Sequence, residues 1–306
     1  MVVTRKIGTW FEAIVPEHWT AYTVDEFLRS YWQIPKKQLH EFRMNNSIAI
    51  NGKQPQWNAK LEKGSRLSLE FFKPEHFSAD PYYFPTDVLY EDDHLLVLNK
   101  PARMDTHPNS PDQANTLLNA AVFHMQSQGQ ELDIRHIHRL DRHTSGAVLF
   151  SKHKTAGAIL DRMLKEREVK RTYLAKAEGL IKQKKGKIDK PIGKDRHHPT
   201  RRRVSSGGQS AVTHYEVIQK LPQEQRTLIT CKLDTGRTHQ IRVHLSDMGY
   251  PLAGDVLYGG SPVYSRQALH AAKLELIHPF TEEKITVHAP FPEQETIFKD
   301  VDIYSI

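Results

Sequence analysis

Two short segments hold the side chains best suited to chemistry. The first is His136-Ile137-His138-Arg139-Leu140-Asp141-Arg142-His143-Thr144-Ser145-Gly146, the densest polar run in the 306-residue chain. It falls in a loop just before an apolar strand, Gly146–Ser151, and loops held by rigid scaffolds are where reacting groups concentrate. Asp141 stands between Arg139 and Arg142. Neighbouring cations favour the charged form of a carboxylate, which suits a nucleophile or a base. The plain alternative is an Asx-turn, with Asp141 bonded to the backbone near His143; the pattern by itself leaves both open. The second segment, Gly236-Arg237-Thr238-His239-Gln240-Ile241-Arg242-Val243-His244-Leu245, sits between a strand and a helix. Arg242 can form a bidentate pair with a carboxylate, or stand as a surface arginine at the start of the helix.

Other chemistries find less support. His136, His138, Asp141 and His143 could be weighed as metal ligands, yet their spacing matches no standard zinc pattern and HExxH is absent. No GxxxxGK[ST] phosphate loop, GxGxxG fingerprint or GxSxG elbow occurs, so nucleotide-dependent phosphoryl transfer and dinucleotide redox chemistry have no footing. Neither a metal nor a cofactor is expected.

Lysine and arginine number 43 against 36 acids, a net charge of +7, and the pI is about 9.3. Positive excess suits a polyanion, because neutralising phosphates releases counterions. The placement of the charge says more than its sum. Lys182–Arg203 is crowded with lysine and arginine, ending in Arg201, Arg202 and Arg203, and its only acids are Asp189 and Asp195. Such a run is a nucleic-acid footprint or a solvated loop. The single cysteine, Cys231, allows no internal disulfide and lies in an alternating, strand-like run. The longest strictly aliphatic run is Leu95–Leu98, far short of the roughly 20 residues of a membrane span. Met1–Lys6 leads into no signal-like apolar core, so a cytoplasmic location is expected.

These groups need elements to position them. Near the N-terminus, Thr23 and Glu26 have capping-box spacing, followed by Val24, Phe27, Leu28, Tyr31 and Trp32 at helical intervals. Pro35 permits a second short helix with Leu39 and Phe42 inward. Ser47–Asn51 and Arg66–Phe72 read as strands, with Asn51-Gly52 as a turn. Residues 73–86, punctuated by Pro74, Pro81 and Pro85, read as a linker. Beyond it, strands are expected at Val88–Tyr90, His94–Asn99, Gly146–Ser151, Thr172–Ala177, Ala211–Ile218 and Thr227–Leu233. Ala156, Ile159, Leu160, Met163 and Leu164 mark one amphipathic helix; Ile241, His244, Leu245 and Met248 mark another, stopped at Gly249 and Pro251. The order is not strictly alternating, so the fold class is α+β with a mixed, mainly antiparallel sheet. Two domains are expected, 1–78 and 79–306. Lys182–Arg203 reads as a projecting loop or hairpin, with Gly207 and Gly208 leaving its return free to bend.

At this point the sequence resembles the RluA-type RNA pseudouridine synthases. The resemblance is carried by HRLDRHTSG at His138–Gly146, GRTHQIRVHL at Gly236–Leu245, GDVLYG at Gly254–Gly259, VLYEDDHLLVLNKPARMDTHP at Val88–Pro108, and Arg171-Thr172-Tyr173-Leu174-Ala175, in the family's order. Residues 1–78 resemble the small S-four-type RNA-binding domain. The resemblance implies an isomerase that converts uridine to pseudouridine in RNA without a cofactor, on ribosomal RNA before transfer RNA, as a cytoplasmic monomer. It implies Asp141 as the catalytic carboxylate, Arg242 as its partner and Tyr173 as the ring that holds the uracil. Arg139, Arg142, Arg171, Arg201, Arg202, Arg203 and Arg237 are then the expected RNA contacts. Two rival classes are a non-catalytic RNA-binding or ribosome-associated protein and a metal-dependent hydrolase. One departure stands out: Arg103 occupies a position where the family has glycine, and if that loop needs positive φ the arginine is strained.

Overall fold

Thr23 and Glu26 form the reciprocal cap that their spacing predicts. The Thr23 side chain accepts from the Glu26 N–H at 3.2 Å, and Glu26 Oε2 accepts from the Thr23 N–H at 2.8 Å. A short helix α1 (Val24–Glu26) thereby starts and continues as a wider turn, Phe27–Tyr31. Helix α2 (Lys36–Met44) follows Pro35 and buries Leu39 and Phe42. Both pack on an antiparallel sheet of β1 (Thr4–Ile7), β2 (Trp10–Ile14), β3 (Ile48–Ile50) and β4 (Arg66–Leu69), in the order β1-β2-β4-β3. Asn51 and Gly52 turn the chain with φ of 51° and 77°, the left-handed pair that such a tight turn requires. The β1–β2 hairpin was not foreseen. Ser68 on β4 is buried, and its hydroxyl donates to Glu12. The computed structural model describes residues 1–292 and 296–306.

The N-terminal unit is docked on the rest of the chain. Phe280 inserts among Phe11, Trp32 and Phe71, with centroids 5.4, 5.3 and 5.3 Å away. The next turn presents Glu282, which receives the Trp19 indole N–H at 3.0 Å and the Tyr31 hydroxyl at 2.7 Å. Buried aromatics of both units belong to one continuous apolar core.

Residues 73–87 carry no regular structure, as their prolines suggest. The larger sheet comprises β5 (Val88–Glu91), β6 (Leu95–Lys100), β7 (Arg135–His136), β8 (Ser145–Ser151), β9 (Lys170–Glu178), β10 (Lys185–Asp189), β13 (Val212–Leu221), β14 (Arg226–Leu233), β15 (Leu269–Ile277) and β16 (Lys284–His288). Between β10 and β13 the chain forms a separate two-stranded pair, β11 (Ile192–Lys194) and β12 (Arg202–Val204). The main path runs β10-β13-β14-β9-β15-β8-β6-β5, with β16 beside β15 and β7 beside β8. β8 and β15 are parallel; the other pairings described are antiparallel. Helices α3 (Leu117–Ser127), α4 (Lys154–Lys165) and α5 (Gln240–Asp247) complete it. The mixed, mainly antiparallel α+β architecture is as expected.

Three features of this scaffold bear on the polar loop. Gly146 has φ of 115°, and a Cβ there would lie 2.3 Å from the Ala271 carbonyl oxygen, so only glycine lets β8 enter beside β15 directly after the loop. Lys100 is fully buried and donates to the carbonyls of Pro101 at 2.9 Å, Met104 at 2.7 Å and Arg142 at 3.2 Å. It ties the Lys100–Met104 turn to the 136–146 loop, while burial pushes its pKa down to about 7 against the opposing pull of Asp141 and Asp105. Arg103, in that turn, has φ of 68°, so the strain anticipated for a non-glycine residue is present.

The basic segment needs two corrections. Its first half does not project; it is the edge strand β10, paired with β13. Only β11 and β12 make the hairpin. Gly208 is not there for freedom, because a Cβ would meet the Ile192 carbonyl carbon at 2.4 Å. Its bareness allows close backbone packing. Among the described residues no helix is long and apolar enough to cross a membrane.

Candidate active site

The two polar segments meet at the floor of one cleft of about 710 Å³, lined from both sides by residues 135–141 with Thr144 and by residues 233–242. The first segment is braced by Thr106, whose hydroxyl accepts from the Leu140 N–H and donates to the Leu140 carbonyl, both at 3.1 Å. Its turn is closed by the main chain, from the Thr144 N–H to the Asp141 carbonyl at 2.9 Å. The Asp141 side chain is thus directed across the cleft rather than to the nearby backbone of an Asx-turn. At the far end of the loop, buried Arg266 donates to the His143 carbonyl at 3.2 Å and to the Ser145 hydroxyl at 2.9 Å.

The second segment is pinned by Gln240. Its amide donates to the Val212 carbonyl at 2.9 Å and the Thr213 hydroxyl at 3.1 Å, and its oxygen accepts from the Arg237 N–H at 3.0 Å. This anchors the start of α5 on β13 and sets the direction of Arg242 two residues on. Arg242 Nη1 donates to Asp141 Oδ2 at 3.1 Å. Its bidentate fork goes elsewhere: Nε and Nη2 donate to the two oxygens of Asp255 at 2.7 and 2.8 Å. The Arg242 and Asp255 side chains are 8% and 2% exposed, so the fork is a buried, charge-assisted pair. Burial alone would lower the Arg242 pKa, but Asp255 and then Asp141 outweigh it and raise it. The guanidinium is therefore held charged and rigid, with Nη1 turned to Asp141.

Tyr173 lies on β9 opposite Cys231 of β14 and lines the same cleft. Its ring is only 4% exposed, more enclosed than an open stacking platform, and burial pushes its hydroxyl pKa up. Arg139, Arg171 and Arg237 also line the cleft, and Arg142 is exposed beside it, 3.9 Å from Asp105. The hairpin arginines do not line the cleft. Arg201 is paired with Asp195 at 2.7 Å, Arg203 is exposed, and Arg202 sends its backbone N–H to the Tyr258 hydroxyl at 2.9 Å.

The metal-ligand alternative needed His136, His138, Asp141 and His143 to converge. Instead His136 stacks on His107 with centroids 4.6 Å apart, and His138 Nε2 accepts from the Leu149 N–H at 3.2 Å. Among the described residues no three His, Cys, Asp or Glu side chains are grouped to hold a metal ion. Sequence reasoning missed Asp255, Tyr258 and His239 as parts of the site. Asp255 and Tyr258 lie within the Gly254–Gly259 motif and His239 within the Gly236–Leu245 segment, which were the available signals.

The RNA pseudouridylate synthase family model matches residues 94–247, and residues 11–67 match the RluD ribosomal pseudouridine synthase N-terminal domain. The chain is 45% identical to the uncharacterized RNA pseudouridine synthase YhcT of Bacillus subtilis, over 93% of this chain and 95% of that protein. It is 33% identical to the ribosomal large subunit pseudouridine synthase D of Xanthomonas campestris, over 92% and 89%. Human RNA pseudouridylate synthase domain containing 1 is similar in structure, with a TM-score of 0.55 and 28% identity over 68% of this chain and 84% of that one. A matched family model spanning most of the cleft, and relatives aligned along nearly the full chain, lead to one statement: the chain belongs to the RNA pseudouridine synthases, isomerases that convert uridine to pseudouridine in RNA.

Proposed function

We propose that this enzyme modifies uridines of ribosomal RNA, acting as a cytoplasmic monomer, with Asp141 as its reacting carboxylate. The observation that carries the reading is the Asp141–Arg242 contact of 3.1 Å at the floor of the cleft. The isomerisation breaks the bond between uracil N1 and ribose C1′, joins C5 to C1′, and exchanges the proton on C5 for one on N1. No electrons are gained or lost, so a single carboxylate able to attack or to take a proton is a sufficient reactant. Arg242, fixed by Asp255, orients that carboxylate. The target base must leave the RNA stack to reach it, and Tyr173, which lines the cleft, is read as the ring that packs against it. Arg139, Arg142, Arg171 and Arg237 surround the opening as phosphate contacts, while residues 1–78 add an RNA-binding unit to the catalytic residues 79–306. Ribosomal RNA is favoured because relatives bear the name ribosomal large subunit pseudouridine synthase D. Mapping pseudouridines in RNA from cells with and without the protein tests this. Loss of one or more large-subunit ribosomal sites is expected; loss confined to transfer RNA overturns the choice of substrate.

Tyr173→Phe should keep RNA affinity, since packing against a base needs only the ring. Tyr173→Ala should forfeit base packing worth about 1–3 kcal/mol and most of the turnover. An alanine variant with full activity returns Tyr173 to the role of a packed strand residue.

The hairpin is read as a grip on the RNA backbone. Replacing Arg201, Arg202 and Arg203 together with alanine should weaken binding to many RNA sequences alike, since phosphate contacts carry no sequence information. The log–log salt slope should fall by roughly 0.7 for each phosphate of single-stranded RNA that the variant no longer neutralises. Because Arg201 already has Asp195 as partner, Arg202 and Arg203 should account for most of the change. Unchanged affinity and slope in the triple variant would leave the hairpin without an RNA role.

A further inference from the structure

Three groups outside the Asp141–Arg242–Asp255 set are connected in a row that ends at the reacting carboxylate. The Arg202 backbone N–H, on β12 of the basic hairpin, donates to the Tyr258 hydroxyl at 2.9 Å. That hydroxyl is 2.8 Å from His239 Nδ1. On the other side of the same ring, His239 Nε2 is 3.9 Å from Asp141 Oδ2. Tyr258 also lies against the site by its face, with the Arg242 guanidinium 4.9 Å from its ring centroid.

The direction of the hydrogen bonds follows from donor and acceptor counts. A neutral imidazole carries one N–H, and its position is assigned from its partners. Were the proton on Nδ1, the lone pair of Nε2 would face the carboxylate oxygen, acceptor against acceptor. With the proton on Nε2, Nδ1 accepts from the Tyr258 hydroxyl, the hydroxyl oxygen accepts from Arg202, and an N–H faces Asp141. Every group then has a complementary partner. Burial lowers the His239 pKa, opposed by Asp141; Arg242 lowers it further, Asp255 raises it and Arg202 lowers it.

The backbone points the same way. His239 precedes α5 with φ of 59° and ψ of 21°, and its side chain makes no capping bond. An imidazole held in the left-handed region, where glycine or asparagine would sit more easily, is a sign of a function that needs that side chain.

We propose that Tyr258 and His239 are positioning residues that couple the basic hairpin to Asp141, with Tyr258 holding His239 in the tautomer whose Nε2–H faces the carboxylate. At 3.9 Å that N–H is not yet a hydrogen bond; an approach of less than about 1 Å brings it within range. RNA seated on the hairpin pulls on the strand that carries the Arg202 N–H, and the row closes onto Asp141. The same oxygen, Oδ2, then receives a second donor beside Arg242, and a carboxylate that one hydrogen bond leaves free to pivot is fixed. This rests on Asp141 being the reacting carboxylate.

The test uses an unmodified large-subunit ribosomal RNA transcript from the same organism, carrying tritium at uracil C5, under single-turnover conditions. Tyr258→Phe keeps the ring against Arg242 and removes only the hydroxyl. It should lower the rate at saturating RNA about tenfold, the scale of one hydrogen bond to a charged group, with RNA affinity within about twofold and an unchanged melting temperature. His239→Asn, which tolerates the left-handed backbone, should lose at least as much. The double variant should be no slower than His239→Asn alone, because groups acting as one unit are non-additive. Wild-type rate in Tyr258→Phe, losses that multiply in the double variant, or a loss confined to affinity would each overturn the proposal. If Tyr258→Phe melts early, His239→Asn at full rate is still sufficient to refute it. An inactive wild type or a fully active Asp141→Asn enzyme would instead refute the reading beneath it, and is scored separately in the same assay.

Discussion

Asp141→Asn should lower single-turnover isomerisation by at least about a thousandfold, the scale seen when a reacting group is removed, while RNA affinity changes little. The two side chains are nearly isosteric. Arg242 Nη1 can donate to an amide oxygen as it does to Asp141 Oδ2. The Arg242 fork stays closed on Asp255, so the floor of the cleft keeps its shape. What asparagine cannot supply is the negative charge and the nucleophilic or basic oxygen. On the proposed reading affinity comes from the arginines around the opening and from base packing, none of which the substitution touches. A purified Asn variant, free of endogenous enzyme, that retains substantial turnover would remove Asp141 from the mechanism.

Arg242→Lys should be the next most damaging change, and it should act on stability as well as rate. The native guanidinium serves two carboxylates at once, with three donors in one plane. An ammonium on a shorter reach can meet one of them and cannot reproduce the fork. Asp255, with its side chain 2% exposed, has the stronger claim, so Asp141 loses its donor. Turnover should fall by about a hundredfold, comparable to losing an aligned charge-stabilising donor, with RNA affinity nearly unchanged. Arg242→Ala leaves Asp255 buried without its cation and should cost about 3–5 kcal/mol of stability, visible as a lower melting temperature. Full activity and stability in Arg242→Lys would show that one point charge suffices.

Much of this was legible in the sequence, and the reasons differ by element. The Thr23 capping box and the Leu39/Phe42 face are local patterns, and local patterns survive folding. The strands β9, β13 and β14 were visible through their alternation. Helix α3 was not, because it is buried on nearly every side through Leu117, Leu118, Ala120, Ala121 and Val122 and so shows no polar stripe. β15 was missed for a related reason: its first half, Leu269-His270-Ala271-Ala272, is buried at every position and so shows no two-residue alternation. The site divides in the same way. Asp141 and Arg242 stand in dense polar segments and could be named from residue type, spacing and resemblance. The fork to Asp255, the contact of Tyr258 with His239 and the grip of Arg266 on the loop depend on chain segments that meet only in the fold. Arg242 was correctly expected to meet a carboxylate, but which carboxylate takes the fork is decided by the position of Asp255 behind α5.

The most direct test of the central claim is release of C5 tritium from unmodified large-subunit ribosomal RNA by the purified wild-type protein and its Asp141→Asn variant, each with excess chelator. Joining C5 to the ribose expels that hydrogen, so each isomerisation is counted once. The account predicts stoichiometric release by the wild type, undiminished by chelator, and release near background by Asp141→Asn. Release that stops with chelator, or that persists in the Asn variant, would contradict it.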